Sequence, residues 1–116
     1  MWERRAELDG FAPTMEGVRN SVPGLKGRAL SGPHDYGQIP ELAERSKRRV
    51  ANFYTDFDAR LKEVPFVAGA DFSVADITVF VTVDFATATL KLPIPEGCGA
   101  MHRWYKTIAA RASASA

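Results

Sequence analysis

Residues 66–80 read FVAGADFSVADITVF, and this stretch decides the fold. Ser73 stands three positions ahead of Asp76, at the threshold of an apolar run that ends at Leu90. That is the spacing of a capping box: the serine hydroxyl accepts the N–H of the third helical residue, whose carboxylate reaches back to the N–H of the cap. Phe72, just before the cap, and Ile77, at the fourth helical position, are set to form the companion hydrophobic staple. The run itself, SVADITVFVTVDFATATL, is rich in β-branched residues, but eighteen positions without a turn signal are too many for a strand. As a helix it is apolar nearly all round, which predicts a place in the middle of a bundle. There the cap and its carboxylate are expected to matter more than the roughly 1 kcal/mol of a surface cap, because unpaired N–H groups cannot reach water.

Working outward from this helix, Leu42, Ser46, Val50, Phe53, Phe57, Leu61 and Val64 recur at spacings of three and four, with Pro40 in the first turn and Pro65 as the stop. The other side of that helix carries Arg45, Lys47, Arg48 and Arg49. Glu41 and Glu44 lie one turn earlier for pairing, so this basic run reads as a solvated face rather than a phosphate site. Nearer the start, Leu8, Phe11, Met15 and Val18 mark a first helix over residues 2–20. Pro13 lacks an N–H and collides with the carbonyl of Asp9, which predicts a kink or break over residues 9–13. Residues 21–39 read as a long loop whose Leu25, Leu30 and Tyr36 lie down on the helices. After the turn-rich KLPIPEGCG at 91–99, Met101, Trp104, Tyr105, Ile108 and Ala109 form the stripe of a last helix, and residues 112–116 are expected to be a disordered tail. The expected architecture is all-α, one domain over residues 1–116, with about four to five helices in a bundle.

Composition narrows the function classes. Fifteen basic against fourteen acidic residues leave a formal charge of +1, so no global field favours nucleic acid or an anionic membrane. The most apolar segment, residues 74–92, contains Asp76, Asp84, Lys91 and four threonines, which argues against a membrane span. Cys98 is the single cysteine, so no internal disulfide and no zinc motif is available. With no apolar leader after MWERRAELDGF, the expected location is the cytoplasm. Cys98 reads as an ordinary free thiol, and His34 and His102 read as surface histidines rather than metal ligands. Asp84, read as buried or nearly so in the apolar helix, needs a partner such as a hydroxyl or an arginine, and a structural role is its default.

The segment Phe66, Ala68, Gly69, Phe72, Ser73, Ala75, Asp76 and Ile77 resembles the capping box and staple of the C-terminal helical domain of cytosolic glutathione transferases. MHRWYKTIAAR, with Trp104, Ile108 and Arg111, is similar to that family's late helix, and the order of helices and loops agrees over nearly the whole chain. Two departures are Ala112, where the family usually places proline, and Gly99-Ala100, where a bulkier apolar residue is common.

The resemblance implies a function of the intact family, conjugation of glutathione to small hydrophobic electrophiles, with glutathione as co-substrate. In that family the residues that bind and activate glutathione lie on a thioredoxin-like domain. This chain begins inside what resembles the first helix of the second domain, so that domain is expected to be absent and the chain alone inactive, with no catalytic residue and no metal or cofactor of its own. The helical domain supplies the wall of the electrophile pocket and dimer contacts. By resemblance Trp2, Arg5 and Phe11 are the candidates to face the pocket; the alternative leaves Phe11 in the core and Trp2 and Arg5 at an interface or the surface. Expected partners are a second copy of the chain and a separate thioredoxin-like domain. The competing function is a non-catalytic protein-interaction module of the same fold.

Overall fold

The computed structural model describes residues 2–21, 27 and 37–115, so Leu25, Leu30, His34 and Tyr36 lie outside the described residues. The first rod is continuous but changes winding along its length: α1 (Trp2–Arg5), a π-helical turn (Ala6–Phe11) and α2 (Ala12–Ser21). The break expected over residues 9–13 is this π turn. The Ala12 N–H bonds the Glu7 carbonyl, five residues back, and the widened turn passes Pro13 without ending the helix. The buried Thr14 hydroxyl donates to the Gly10 carbonyl at 2.8 Å. At Gly10 a Cβ would sit 2.7 Å from the Phe53 ring, so only glycine lets the rod approach this closely.

Helix α3 (Pro40–Glu63) starts with proline at its first turn and buries Ser46, Val50, Phe53, Phe57 and Leu61, the stripe read from the spacing. Its basic face is solvated as expected, although the ion pairs are only partly local. Lys47 pairs with Glu44, whereas Arg45 crosses to Glu16 on α2, and Arg49 donates to the Leu8 carbonyl.

Helix α4 (Val74–Leu90) corrects one expectation. It buries Ala75, Val79, Thr82, Val83, Ala86 and Leu90, but it is not enclosed all round: Val74, Ile77 and Val81 are 57%, 49% and 49% exposed. A helix apolar on every side has nevertheless been left with an open apolar stripe. Helix α5 (Gly99–Ser115) buries Met101, Trp104 and Ile108 against α3 and α4. Its backbone is helical through Ser115, over an Ala-Ser run that contains no breaker. The first rod, α3, α4 and α5 make four helical rods among the described residues, in an all-α bundle.

Candidate functional site

The structural centre of the bundle is Asp76. Its side chain is fully buried and accepts three N–H groups: Ser73 N–H on Oδ2 at 2.9 Å, and Val67 N–H and the Trp104 indole N–H on Oδ1 at 2.9 and 2.8 Å. Bonds from N–H donors to a carboxylate are charge-assisted and stronger than neutral ones. One carboxylate thus ties together the start of α4, the 66–69 turn and the middle of α5. The turn is shaped for this: Phe66 and Gly69 exchange backbone bonds at 3.0 Å, Gly69 at φ 147 takes a conformation that favours glycine, and Val67 is left to face Asp76.

The capping box has both arms in place, although only one is a full hydrogen bond. Asp76 reaches back to the cap N–H, but the Ser73 hydroxyl, although in box orientation, makes no hydrogen bond; the Asp76 N–H goes instead to the Ser73 carbonyl at 3.0 Å. The staple expectation is also modified. Phe72 packs edge-on against Phe66 and under the Arg111 guanidinium, while Ile77 is turned to the surface.

That surface borders a groove of about 380 Å³ between the first rod and α4. Phe11, Ile77, Thr78 and Val81 line it, with Glu3 and Glu7 among its walls. Phe11 is braced from behind by Phe85, their rings stacked at 6.4 Å. Among the described residues neither Glu3 nor Glu7 is in an ion pair. The site is therefore an apolar surface with acidic edges.

Of the three pocket candidates, the structure brings only Phe11 to this groove. Trp2 is edge-on to Phe57 and flanked by two guanidinium groups, Arg5 at 4.8 Å and Arg60 at 4.6 Å, and Arg5 also bonds Asp9. These two residues form a cation–π stack that pins the start of α1 to α3. Glu3, Glu7, Ile77 and Val81 were not singled out as pocket residues from the sequence. Their signal was available in the i,i+4 spacing of each pair, but it takes two helices side by side to turn those pairs into a groove.

Cys98 is buried at the start of α5, and its thiol is pushed up, first by burial and then by the nearby Asp58, with Lys62 partly offsetting the shift. A thiol so raised is a poor nucleophile. Asp84 has the hydroxyl partner that its position required, Tyr105, but both ends of the pair are at the surface rather than in the core. Among the described residues no group of three His, Cys, Asp or Glu could hold a metal ion, and no helix is long and apolar enough to cross a membrane.

Residues 40–107 match the family model of the glutathione S-transferase C-terminal domain. The chain is 38% identical over 114 residues to glutathione S-transferase 2 of Saccharomyces cerevisiae, an alignment covering 97% of this chain and 46% of that protein. It superposes on the crystal structure of Gtt2 from Saccharomyces cerevisiae with a TM-score of 0.80 at 37% identity, covering 93% of this chain and 49% of that one. For a glutathione S-transferase domain-containing protein of Marinobacter aquaeolei the TM-score is 0.83 at 26% identity, covering 96% and 51%. The class Gtt2 glutathione S-transferase of Vibrio parahaemolyticus gives 0.74 at 28% identity, covering 95% and 46%. The chain thus spans about half the length of the relatives it matches.

Proposed function

Because the chain belongs to the glutathione S-transferase C-terminal domain family, we propose that it works as the helical half of a glutathione transferase, an enzyme that joins glutathione to small hydrophobic electrophiles. The observation that carries this reading is the open apolar stripe of α4 beside Phe11. Ile77 and Val81, each 49% exposed, share one groove with Phe11, and grouped exposed apolar side chains of this kind mark surfaces that another part of a protein covers. In this reading a thioredoxin-like half binds glutathione and docks on the stripe, and Phe11 lines the wall of the electrophile pocket at the seam. Trp2 and Arg5 act one step back, by fixing the start of the rod that carries Phe11.

No residue of the chain is assigned the activation of the glutathione thiol, and Cys98, with its raised pKa, is unsuited to it. The purified chain is therefore expected to show neither retention on glutathione-agarose nor conjugation of a standard aryl halide. Supplying a thioredoxin-like half from a relative should restore both, and Phe11→Ala should then alter the KM for the electrophile more than that for glutathione. Conjugation by the chain alone would overturn the assignment. Pull-down of an unrelated protein, with no gain of activity from the added half, would favour the non-catalytic interaction module.

The same stripe supports self-association when nothing else covers it. A dimer in light scattering is the expected outcome, and a monomer that is unchanged by Val81→Lys would contradict it. The proposed location is the cytoplasm, in keeping with the single cysteine and the near-neutral charge, and fractionation of expressing cells tests it directly.

A further inference from the structure

On the other flank of α4, toward its C-terminal end, lies a second cavity of about 210 Å³, lined by Asp84 and Thr87 of α4, Pro93 and Ile94 of the connecting segment, and His102 and Tyr105 of α5. It shares no residue with the Phe11 groove. The hydrogen-bonding sense of each polar group in it is fixed by a bond that the group already makes. The Tyr105 hydroxyl donates to Asp84 Oδ1 at 2.5 Å, so its oxygen is left to accept. The Thr87 hydroxyl donates to the Val83 carbonyl at 2.7 Å and is likewise left to accept. His102 Nε2 lies 3.0 Å from the Pro95 carbonyl, which can only accept, so Nε2 is the donor in that bond.

Asp84 adds a charge, and among the described residues it is in no ion pair. No lysine or arginine lines the cavity. The bond to Asp84, and then burial, push the Tyr105 phenol up to about 12, so it remains a neutral donor to Asp84 through the neutral range. Asp84, Tyr105 and Thr87 thus each leave an oxygen able to accept a hydrogen bond, Asp84 adds a carboxylate charge, and Pro93 and Ile94 supply an apolar wall. The volume is below the roughly 300–1,000 Å³ of pockets for drug-sized ligands, which sets the ligand at fragment size.

We propose that this cavity binds a small primary ammonium carried on a short apolar body, its N–H groups donating to Asp84, Tyr105 and Thr87 while the body lies against Pro93 and Ile94. The proposal is independent of transferase activity.

The test is a two-dimensional amide NMR titration of the chain with benzylammonium, and with benzyl alcohol as its uncharged counterpart. Saturating shifts are expected at Asp84, Thr87, His102 and Tyr105 with benzylammonium, and binding at least about tenfold weaker both for benzyl alcohol and for benzylammonium to Asp84→Asn. Asp84 is exposed, so the variant should keep its fold, which its melting curve checks; Thr87→Val, on the same wall, should weaken binding by a smaller factor. Equal binding of the alcohol, unchanged affinity in Asp84→Asn, shifts confined to the Glu3 and Glu7 groove, or no saturating shift at all would each overturn the proposal.

Discussion

Helices α4 and α5 both begin inside the bundle, and their first N–H groups are met in opposite ways. At α4 the acceptor is local: Asp76, three residues past the cap, takes the Ser73 N–H. At α5 the cap position is Cys98, whose thiol is a weak acceptor, and the acceptor comes from Asp58 of α3, which takes the Met101 N–H at 3.0 Å. Both carboxylates are buried, and both satisfy orphan amides at a helix start. The difference is that Asp76 also holds two groups from outside its helix, Val67 and Trp104, whereas Asp58 has one buried bond and a pair with the exposed Lys62. A cap that also serves the tertiary fold should be far more costly to lose than one that only closes a helix.

That contrast is broken or upheld most clearly by Asp76→Ala. It leaves three N–H groups without an acceptor, two of them, on Val67 and Trp104, in buried bonds whose loss costs about 1–3 kcal/mol each. Allowing for relaxation, the loss is expected to be about 3–5 kcal/mol, among the larger values for single substitutions. In a domain of this size the melting temperature should fall by more than about 10 °C. Trp104 fluorescence, which reports directly on the lost indole bond, should change with it. A loss below about 1 kcal/mol would mean that the three bonds do not act together.

Asp58→Ala comes next, with an expected cost of about 1–2 kcal/mol, the range of an ordinary N-cap, since the exposed ion pair to Lys62 adds little. The comparison sharpens if the remote cap is replaced by a local one. Cys98→Ser in the Asp58→Ala background puts a hydroxyl at the cap of α5 and should recover part of the loss, whereas the same change in the parent chain should gain nothing. If Cys98→Ser stabilises both backgrounds equally in thermal melts, Asp58 is not serving as the cap of α5.

The two helix starts also mark the limit of what could be read from the sequence. Helices appear as period, so the stripes on α3 and α5 and the disturbance at Pro13 were legible. The cap of α4 was legible because Ser73 and Asp76 lie within one turn. The bonds from Asp76 to Val67 and Trp104, and from Asp58 to Met101, join positions up to 43 residues apart, and no local pattern encodes them. The candidate site was legible only at Phe11. Trp2 and Arg5 carried the same resemblance, yet Trp2 packs on Phe57 and Arg60 of α3 with Arg5 stacked on it, contacts that no local pattern shows. Which residues of α4 stay exposed could not be read, because composition gives apolarity but not what covers it.

A third carboxylate, Glu16, lies between these cases, bridging two helices without closing the start of either. It accepts the Ser46 hydroxyl at 2.6 Å and the Arg45 guanidinium at 3.3 Å. Chiefly through the Ser46 bond, with Arg45 assisting against the opposing effect of burial, its carboxyl is held below the usual carboxylate value. A lowered folded-state pKa contributes stability that is present above the unfolded value, about 4.3 for glutamate, and is lost as the pH falls through the folded value. The parent should therefore melt above Glu16→Gln at neutral pH, and the gap should close on acidification. A gap that is constant with pH would assign the effect to packing rather than to charge.

The smallest expected effect lies in the residue that made the sequence readable. In the structure the Ser73 hydroxyl has no hydrogen-bond partner, and what Asp76 holds is the backbone N–H of residue 73, which alanine also has. Ser73→Ala should therefore change stability by no more than about 0.5 kcal/mol, well short of the roughly 1 kcal/mol typical when a working N-cap is removed. Urea melts of the two chains measure the difference directly. A cost of a full kcal/mol or more would mean that both arms of the box are closed in solution and that α4 is capped by its side chain as well as by Asp76. A negligible cost would mean that the serine marks the helix start in the sequence while the aspartate alone secures it.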